Sequence, residues 1–179
     1  MRKALYIFGL LTDSDIDWIA RIGTRRRMRD GETLIERGKP IDSIVLVLEG
    51  GLLVVMQDLG VVARRGVGDI VGEMSMVDSA PPSATVVAEG ECLVLLLNKN
   101  SLRRKLASDL AFGSRFYRAL AIFLADRLRE LQHDLLLPDH QEGLAREPVL
   151  RDETNSVLWE NVSMAGERFD RMLKVLTGI

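Results

Sequence analysis

A single cysteine, Cys92, stands in the 179 residues. That excludes an internal disulfide framework and any zinc centre built from several thiolates, and a reducing cytoplasm is the compartment expected. Histidine is almost as scarce: His133 and His140 show no metal-ligand spacing with each other or with Cys92, and both are expected at the surface. Basic charge is not in surplus, because 24 Lys+Arg stand against 26 Asp+Glu for a formal net charge of −2. Without an excess of cations to displace counterions from a phosphate backbone, nucleic acid is not an expected partner. Long apolar runs are missing as well. Cys92 to Leu97 is among the longest, far short of the ~20 residues that span a bilayer, so no membrane partner is expected. Met1-Arg2-Lys3 is followed only by a short apolar stretch before Thr12-Asp13-Ser14-Asp15, without the small-residue cleavage pattern of a signal peptide. A soluble protein is expected. Neither a Gly-x-x-x-x-Gly-Lys phosphate loop nor a nucleophile-elbow serine occurs, so the sequence supports no enzymatic activity and implies no metal or resident cofactor.

What is present is core-forming material. Hydrophobic residues make up 47% of the chain, enough for one domain with an appendage. Thr12, with Asp15 three residues on and Ile16, Trp18 and Ile19 behind it, marks a capped helix start. Arg25-Arg26-Arg27-Met28-Arg29 runs into a turn at Asp30-Gly31 and reads as a solvated strand face, with an anion-binding patch as the alternative. From Thr33 to Leu97 short β-branched runs alternate with glycine turns: Ile44 to Leu48, Glu49-Gly50-Gly51, Leu52 to Met56, Val61 to Ala63, Ala84 to Ala88, and Cys92 to Leu97. Closely spaced strands without helical crossovers indicate an antiparallel sandwich or barrel.

After Asn98 the period changes. Tyr117, Ala121, Leu124, Leu128, Leu131 and Leu135 alternate spacings of four and three, as do Leu158, Val162, Ala165, Phe169, Met172 and Leu176. Each set is a heptad seam on one helix. Phe116, Leu120 and Phe123 make a second stripe that can lie on the barrel, and Pro138, Gly143 and Pro148 break the helices apart. Two long helices joined by a loop suggest a hairpin. Its seams can pair within one chain or meet those of a second copy in a two-fold homodimer, the commonest closed assembly. The expected division is a β-roll domain over residues 1–113 and a helical lid or dimerisation extension over 114–179.

The stretch richest in chemical information is Gly68-Asp69-Ile70-Val71-Gly72-Glu73-Met74-Ser75, followed by Pro81-Pro82-Ser83-Ala84-Thr85. Glycines flanking an apolar pair, then an acid and a small hydroxyl residue, let backbone N–H groups converge on a phosphate while Glu73 accepts from a sugar hydroxyl. Glu73 as a plain helix cap is the competing reading. Together with Leu34-Ile35, Gly38 and the run Asp42 to Gly50, this stretch resembles the cyclic nucleotide-binding domain of catabolite-activator-like regulators and of regulatory subunits of cyclic-nucleotide-dependent kinases. The resemblance runs from about Leu5 to Leu137. It implies a mostly β fold with α: an antiparallel jelly-roll barrel of about eight strands, with an N-terminal helix and two long C-terminal helices. It also implies a phosphate-binding cassette between two strands. On this resemblance Gly72 allows close backbone approach, Glu73 accepts from the ribose 2′-hydroxyl, Ser75 offers N–H and hydroxyl to the phosphate, Ile70 and Val71 wall the pocket beside Met74, and Ser83 and Thr85 lie near phosphate and base.

One position departs from that pattern. Where the family carries an arginine on the phosphate, this chain has Pro82, which offers no guanidinium and no N–H. A charge-assisted contact of that kind contributes roughly 1.5–3 kcal/mol, so its loss costs at least about tenfold in affinity. Three outcomes are open: Arg64 or Arg65 reaches in from a neighbouring strand, the pocket takes something other than an ordinary cyclic mononucleotide, or it is an empty scaffold. Residues 138–179 are too few for a winged helix-turn-helix domain of about 60 residues. The expected protein is therefore a stand-alone sensor of a nucleotide-type ligand, a homodimer that signals through its C-terminal helices to an unidentified protein partner. The alternatives are a pseudo-receptor scaffold and, third, a nucleic-acid-binding regulator using Arg25 to Arg29 or Arg103-Arg104-Lys105.

Overall fold

A computed structural model describes residues 5–78, 80–136 and 156–177. Pro138, His140, Gly143 and Pro148 lie outside the described residues, as do the side chains of His133, Leu135, Leu158 and Val162. Two short N-terminal helices come first, where one was expected: α1 (Leu5–Leu10) and α2 (Asp13–Ile22). Thr12 and Asp15 form a reciprocal capping box at the start of α2, the pattern that the Thr-x-x-Asp spacing predicts. Six strands follow: β1 (Thr24–Met28), β2 (Thr33–Ile35), β3 (Ser43–Met56), β4 (Gly60–Arg65), β5 (Ile70–Val71) and β6 (Thr85–Asn98). The four-residue helix α3 (Met74–Val77) sits between β5 and β6, and α4 (Lys99–Ser108), α5 (Leu110–Leu136) and α6 (Ser156–Thr177) complete the chain.

All strand pairs are antiparallel, in the order β1-β6-β3-β4, with β2 on β6 and β5 on β3. The two long strands β3 and β6 run side by side from Ser43 opposite Asn98 to Val55 opposite Thr85, and their register shifts at Glu49 and Gly51. Gly50 makes that bend possible. Its φ is +74°, and a Cβ there would lie 2.5 Å from the Glu91 carbonyl oxygen, so no larger residue fits. Each long strand thereby serves as two, which brings the jelly roll to eight strand-length runs, although β1 and β4 at the edges do not pair to close a barrel.

Alternation along β3 and β6 divides the core in two. Val45, Val47, Leu52, Val71, Val86 and Val94 fill the inside of the roll, whereas Ile44, Leu46, Leu48, Leu95 and Leu97 face the helices. Because both faces are covered, these strands read as continuous apolar runs. Asn98 caps α4 by accepting from the N–H groups of Asn100 and Ser101. Asp109 starts α5 by accepting from the Phe112 N–H at 2.9 Å. A bidentate pair of Arg115 with the buried Asp15, at 2.8 and 3.0 Å, ties α5 to α2. Burial pushes the Asp15 carboxyl upward, but the hydrogen bonds from Arg115 and Thr12 outweigh it and hold its pKa below the usual range.

The C-terminal helices do not simply fold back on each other. The α6 seam packs mainly on α1 and α2, with Ala165 and Met172 fully buried. Arg168 reaches Asp13 and the carbonyls of Phe8 and Gly9, and Arg171 pairs with Asp17. Helix α1 also packs on α5 and so joins the two long helices. On α5 the stripe Phe116, Leu120 and Phe123 is buried on the roll, while Tyr117, Leu128 and Leu131 of the heptad seam are exposed.

Candidate functional site

The segment from Ile70 to Ser75 runs from inside the sheet to its surface. Ile70 and Val71 are buried in β5 opposite Leu46 and Val45, so one points to the helices and the other into the roll. Gly72 then turns the chain with φ +78°, and a Cβ there would meet the Ser43 carbonyl oxygen at 3.0 Å. That turn delivers Glu73 beneath α5, where it is 1% exposed. Glu73 precedes α3 but makes no side-chain cap there, so the reading of this acid as a simple helix cap does not hold. Its carboxylate instead accepts from the guanidinium of Arg127 on α5, and that guanidinium stacks 5.3 Å from the Phe123 ring. Glu73 is the polar member of an otherwise apolar cavity lined by Phe8, Ile19, Ile44, Leu46, Ile70, Leu97, Phe116 and Leu120.

Ser75 is held from below. Its hydroxyl accepts from the Lys99 ammonium at 2.5 Å and donates to the Gly72 carbonyl at 3.3 Å, while Lys99 also donates to the Ile41 carbonyl at 2.8 Å. Burial, with Arg103 adding to it, lowers the Lys99 pKa against the pull of Asp42 and Glu73. Met74 points to solvent. The later residues form a separate group. The Pro82 carbonyl accepts from the Gly38 N–H at 2.9 Å, the Thr85 hydroxyl accepts from the Arg37 N–H at 3.2 Å, and Ser83 is exposed. Among the described residues no hydrogen bond links Pro82, Ser83 or Thr85 to Glu73 or Ser75. The two segments are parts of one connection between β5 and β6, and each is anchored to different neighbours.

Of the two cations proposed to replace the missing arginine, Arg64 is spent at the surface, paired with Glu89 at 2.9 Å. Arg65 is the half-buried one. Arg25 to Arg27 lie exposed along β1, as a solvated strand face should, and Arg26 pairs with Glu32. Burial, with Glu32 nearby, pushes the Cys92 thiol up in pKa, which leaves it unreactive. Among the described residues no cluster of histidine, cysteine, aspartate and glutamate has the makings of a metal site, and no helix is long and apolar enough to cross a membrane.

Sequence reasoning missed Arg127 and Lys99. The signal for Arg127 was present, because it continues the stripe Phe116, Leu120, Phe123 by another four residues and so puts a cation on the face turned toward the roll. Lys99 had no local signal, since its partners Ile41 and Ser75 are 58 and 24 residues away in sequence.

Comparison with known proteins bears on the fold that carries this site. Residues 25–109 match the family profile described as the cyclic nucleotide-binding domain. A cyclic nucleotide-binding domain from Methylobacillus flagellatus superposes with a TM-score of 0.64 at 27% identity, covering 75% of this chain and 78% of that one. The Thermus thermophilus catabolite activator protein shares the fold with a TM-score of 0.61 at 24% identity, over 97% of this chain and 87% of its own. A Pycsar effector protein from Pseudomonas aeruginosa is 33% identical over 126 residues, 70% of this chain. The chain spans between 22% and 39% of the length of the curated relatives it matches. By profile and by fold, residues 25–109 belong to the cyclic nucleotide-binding domain family.

Proposed function

We propose that the chain is a regulatory module whose loop between β5 and β6 receives a nucleotide-type ligand and whose helix α5 reports occupancy. The observation that carries this reading is the buried pair between Glu73, at the start of the loop, and Arg127, on α5. A ribose hydroxyl can engage Glu73 only by sharing or displacing Arg127, so binding and the seating of α5 compete for one carboxylate. A ligand shifts such an equilibrium by its differential affinity for the two seatings. The exposed seam of Tyr117, Leu128 and Leu131 is the surface through which a reseated α5 would act, on a second copy of the chain or on a partner protein.

Calorimetric titration of the purified chain with cyclic AMP and cyclic GMP tests the proposal. Saturable binding of one ligand per chain is expected, with at least tenfold loss in Glu73→Ala; absence of heat at millimolar ligand contradicts it. The same ion pair favours a second reading, a pseudo-receptor in which Arg127 permanently fills the sugar position and Pro82 has removed the phosphate anchor. That reading predicts partner binding unaffected by Glu73→Ala and by added nucleotide.

A further inference from the structure

Arg65 occupies the last position of β4, opposite Leu52 in the antiparallel ladder. Directly opposed residues share a face, and Leu52 is fully buried inside the roll, so Arg65 projects to the interior side while its neighbour Arg64 stays outside with Glu89. One of its terminal nitrogens donates to the Arg64 carbonyl at 3.1 Å. Its Nε is buried with no hydrogen-bond partner, the only such side-chain atom among the described residues, and no carboxylate there forms an ion pair with it. Burial, and after it the like charge of Arg127, lowers the Arg65 pKa against the pull of Asp69 and Glu73. Glu73 is already paired with Arg127 and also acts on Lys99, and Asp69 is engaged by the Gly66 N–H at 2.8 Å. The one buried carboxylate nearby is therefore already committed to another cation. A desolvated guanidinium with an open donor is costly unless something anionic meets it.

We propose that Arg65 is the phosphate anchor of the ligand site, reaching the loop from inside the roll and not through the apolar cavity under α5, and taking the role that Pro82 cannot fill from the loop. This deepens the reading above and rests on it: the ligand is a nucleotide whose phosphate enters on the β4 side of Glu73. The guanidinium supplies the charged fork that Ser75, held by Lys99, and Ser83, exposed, do not provide.

The test is calorimetry and thermal unfolding of the full chain and of Arg65→Met and Arg64→Met, with cyclic AMP, cyclic GMP, linear AMP and uncharged adenosine as probes. Arg65→Met should lose about 10- to 100-fold in affinity for the charged nucleotide that binds, as expected for one charge-assisted contact, with adenosine unaffected and Arg64→Met close to the parent. Without ligand, Arg65→Met should unfold about 2–4 °C higher, because a half-buried cation with an unpartnered Nε has gone. Preference among the three nucleotides identifies whether a cyclic or linear phosphate fits. If the parent binds a nucleotide and Arg65→Met binds it equally well, the anchor assignment is overturned and the sensor reading stands. If the parent binds none of them, both fall. A lower unfolding temperature in ligand-free Arg65→Met makes Arg65 a structural residue and overturns the assignment independently of any ligand.

Discussion

Helices α5 and α6 carry the same alternation of four- and three-residue spacing, and the fold treats the two seams oppositely. On α6, Ala165 and Met172 are fully buried against the N-terminal helices, and arginines on the flank of that seam reach Asp13 and Asp17. On α5, Leu128 and Leu131 are 57% and 56% exposed, and burial goes to Phe116, Leu120 and Phe123 on another face. A heptad seam thus specifies an apolar stripe but not its partner. The partner is decided by which other apolar surface remains uncovered, and here α1 and α2 lie ready for α6 while the roll takes the rival stripe of α5.

The difference can be broken most severely at the buried seam. Met172→Ala should cost about 2–5 kcal/mol in chemical denaturation, as truncations of fully buried side chains do, and a cost below 1 kcal/mol would mean that α6 is not docked. Next in size is the inner face of α5. Arg127→Leu strands the Glu73 carboxylate in an apolar cavity and should cost about 3 kcal/mol; adding Glu73→Gln should recover a good part of it. If the two changes add independently, the pair is not coupled.

A smaller effect is expected at the joint between α2 and α5. Asp15 has a folded-state pKa below its unfolded value, so its contribution is present at pH above the unfolded carboxylate value, about 4, and fades as pH falls through the lower folded value. Asp15→Asn should lose about 2 kcal/mol at pH 7 and flatten the acid side of the stability profile; an unchanged profile would show that the Arg115 pair does not contribute. The smallest effect on unfolding belongs to the exposed seam. Leu128→Ala with Leu131→Ala should change stability by under about 0.5 kcal/mol each, yet weaken self-association in sedimentation if that face meets a second chain.

Much of the fold was legible because its signals are local. Thr12 with Asp15 announced a cap, and the β-branched runs announced closely spaced antiparallel strands, although the glycine break at Gly50 proves to be a bend within β3 and not a turn between two strands. The turn at Gly72 was legible for the same reason, since the glycine directly follows the apolar pair Ile70-Val71. What the sequence did not disclose is long-range: Lys99 reaching back to Ser75, α6 choosing α1 and α2, and Arg65 turned inward while Arg64 turns out. Those choices depend on which surfaces meet after the sheet has rolled, and no window of neighbouring residues contains them. Arg127 lies between the two cases, because the stripe it extends was visible and only the meaning of a charge at its end was not.

On the proposed function, ligand in the loop and the seating of α5 compete for Glu73. Amide hydrogen exchange of the full chain, with and without saturating cyclic AMP or cyclic GMP, tests it directly. The account predicts altered protection both at residues 70–77 and along α5 around Arg127, with both changes abolished in Glu73→Ala. Protection that changes at the loop alone, with α5 indifferent, would contradict it.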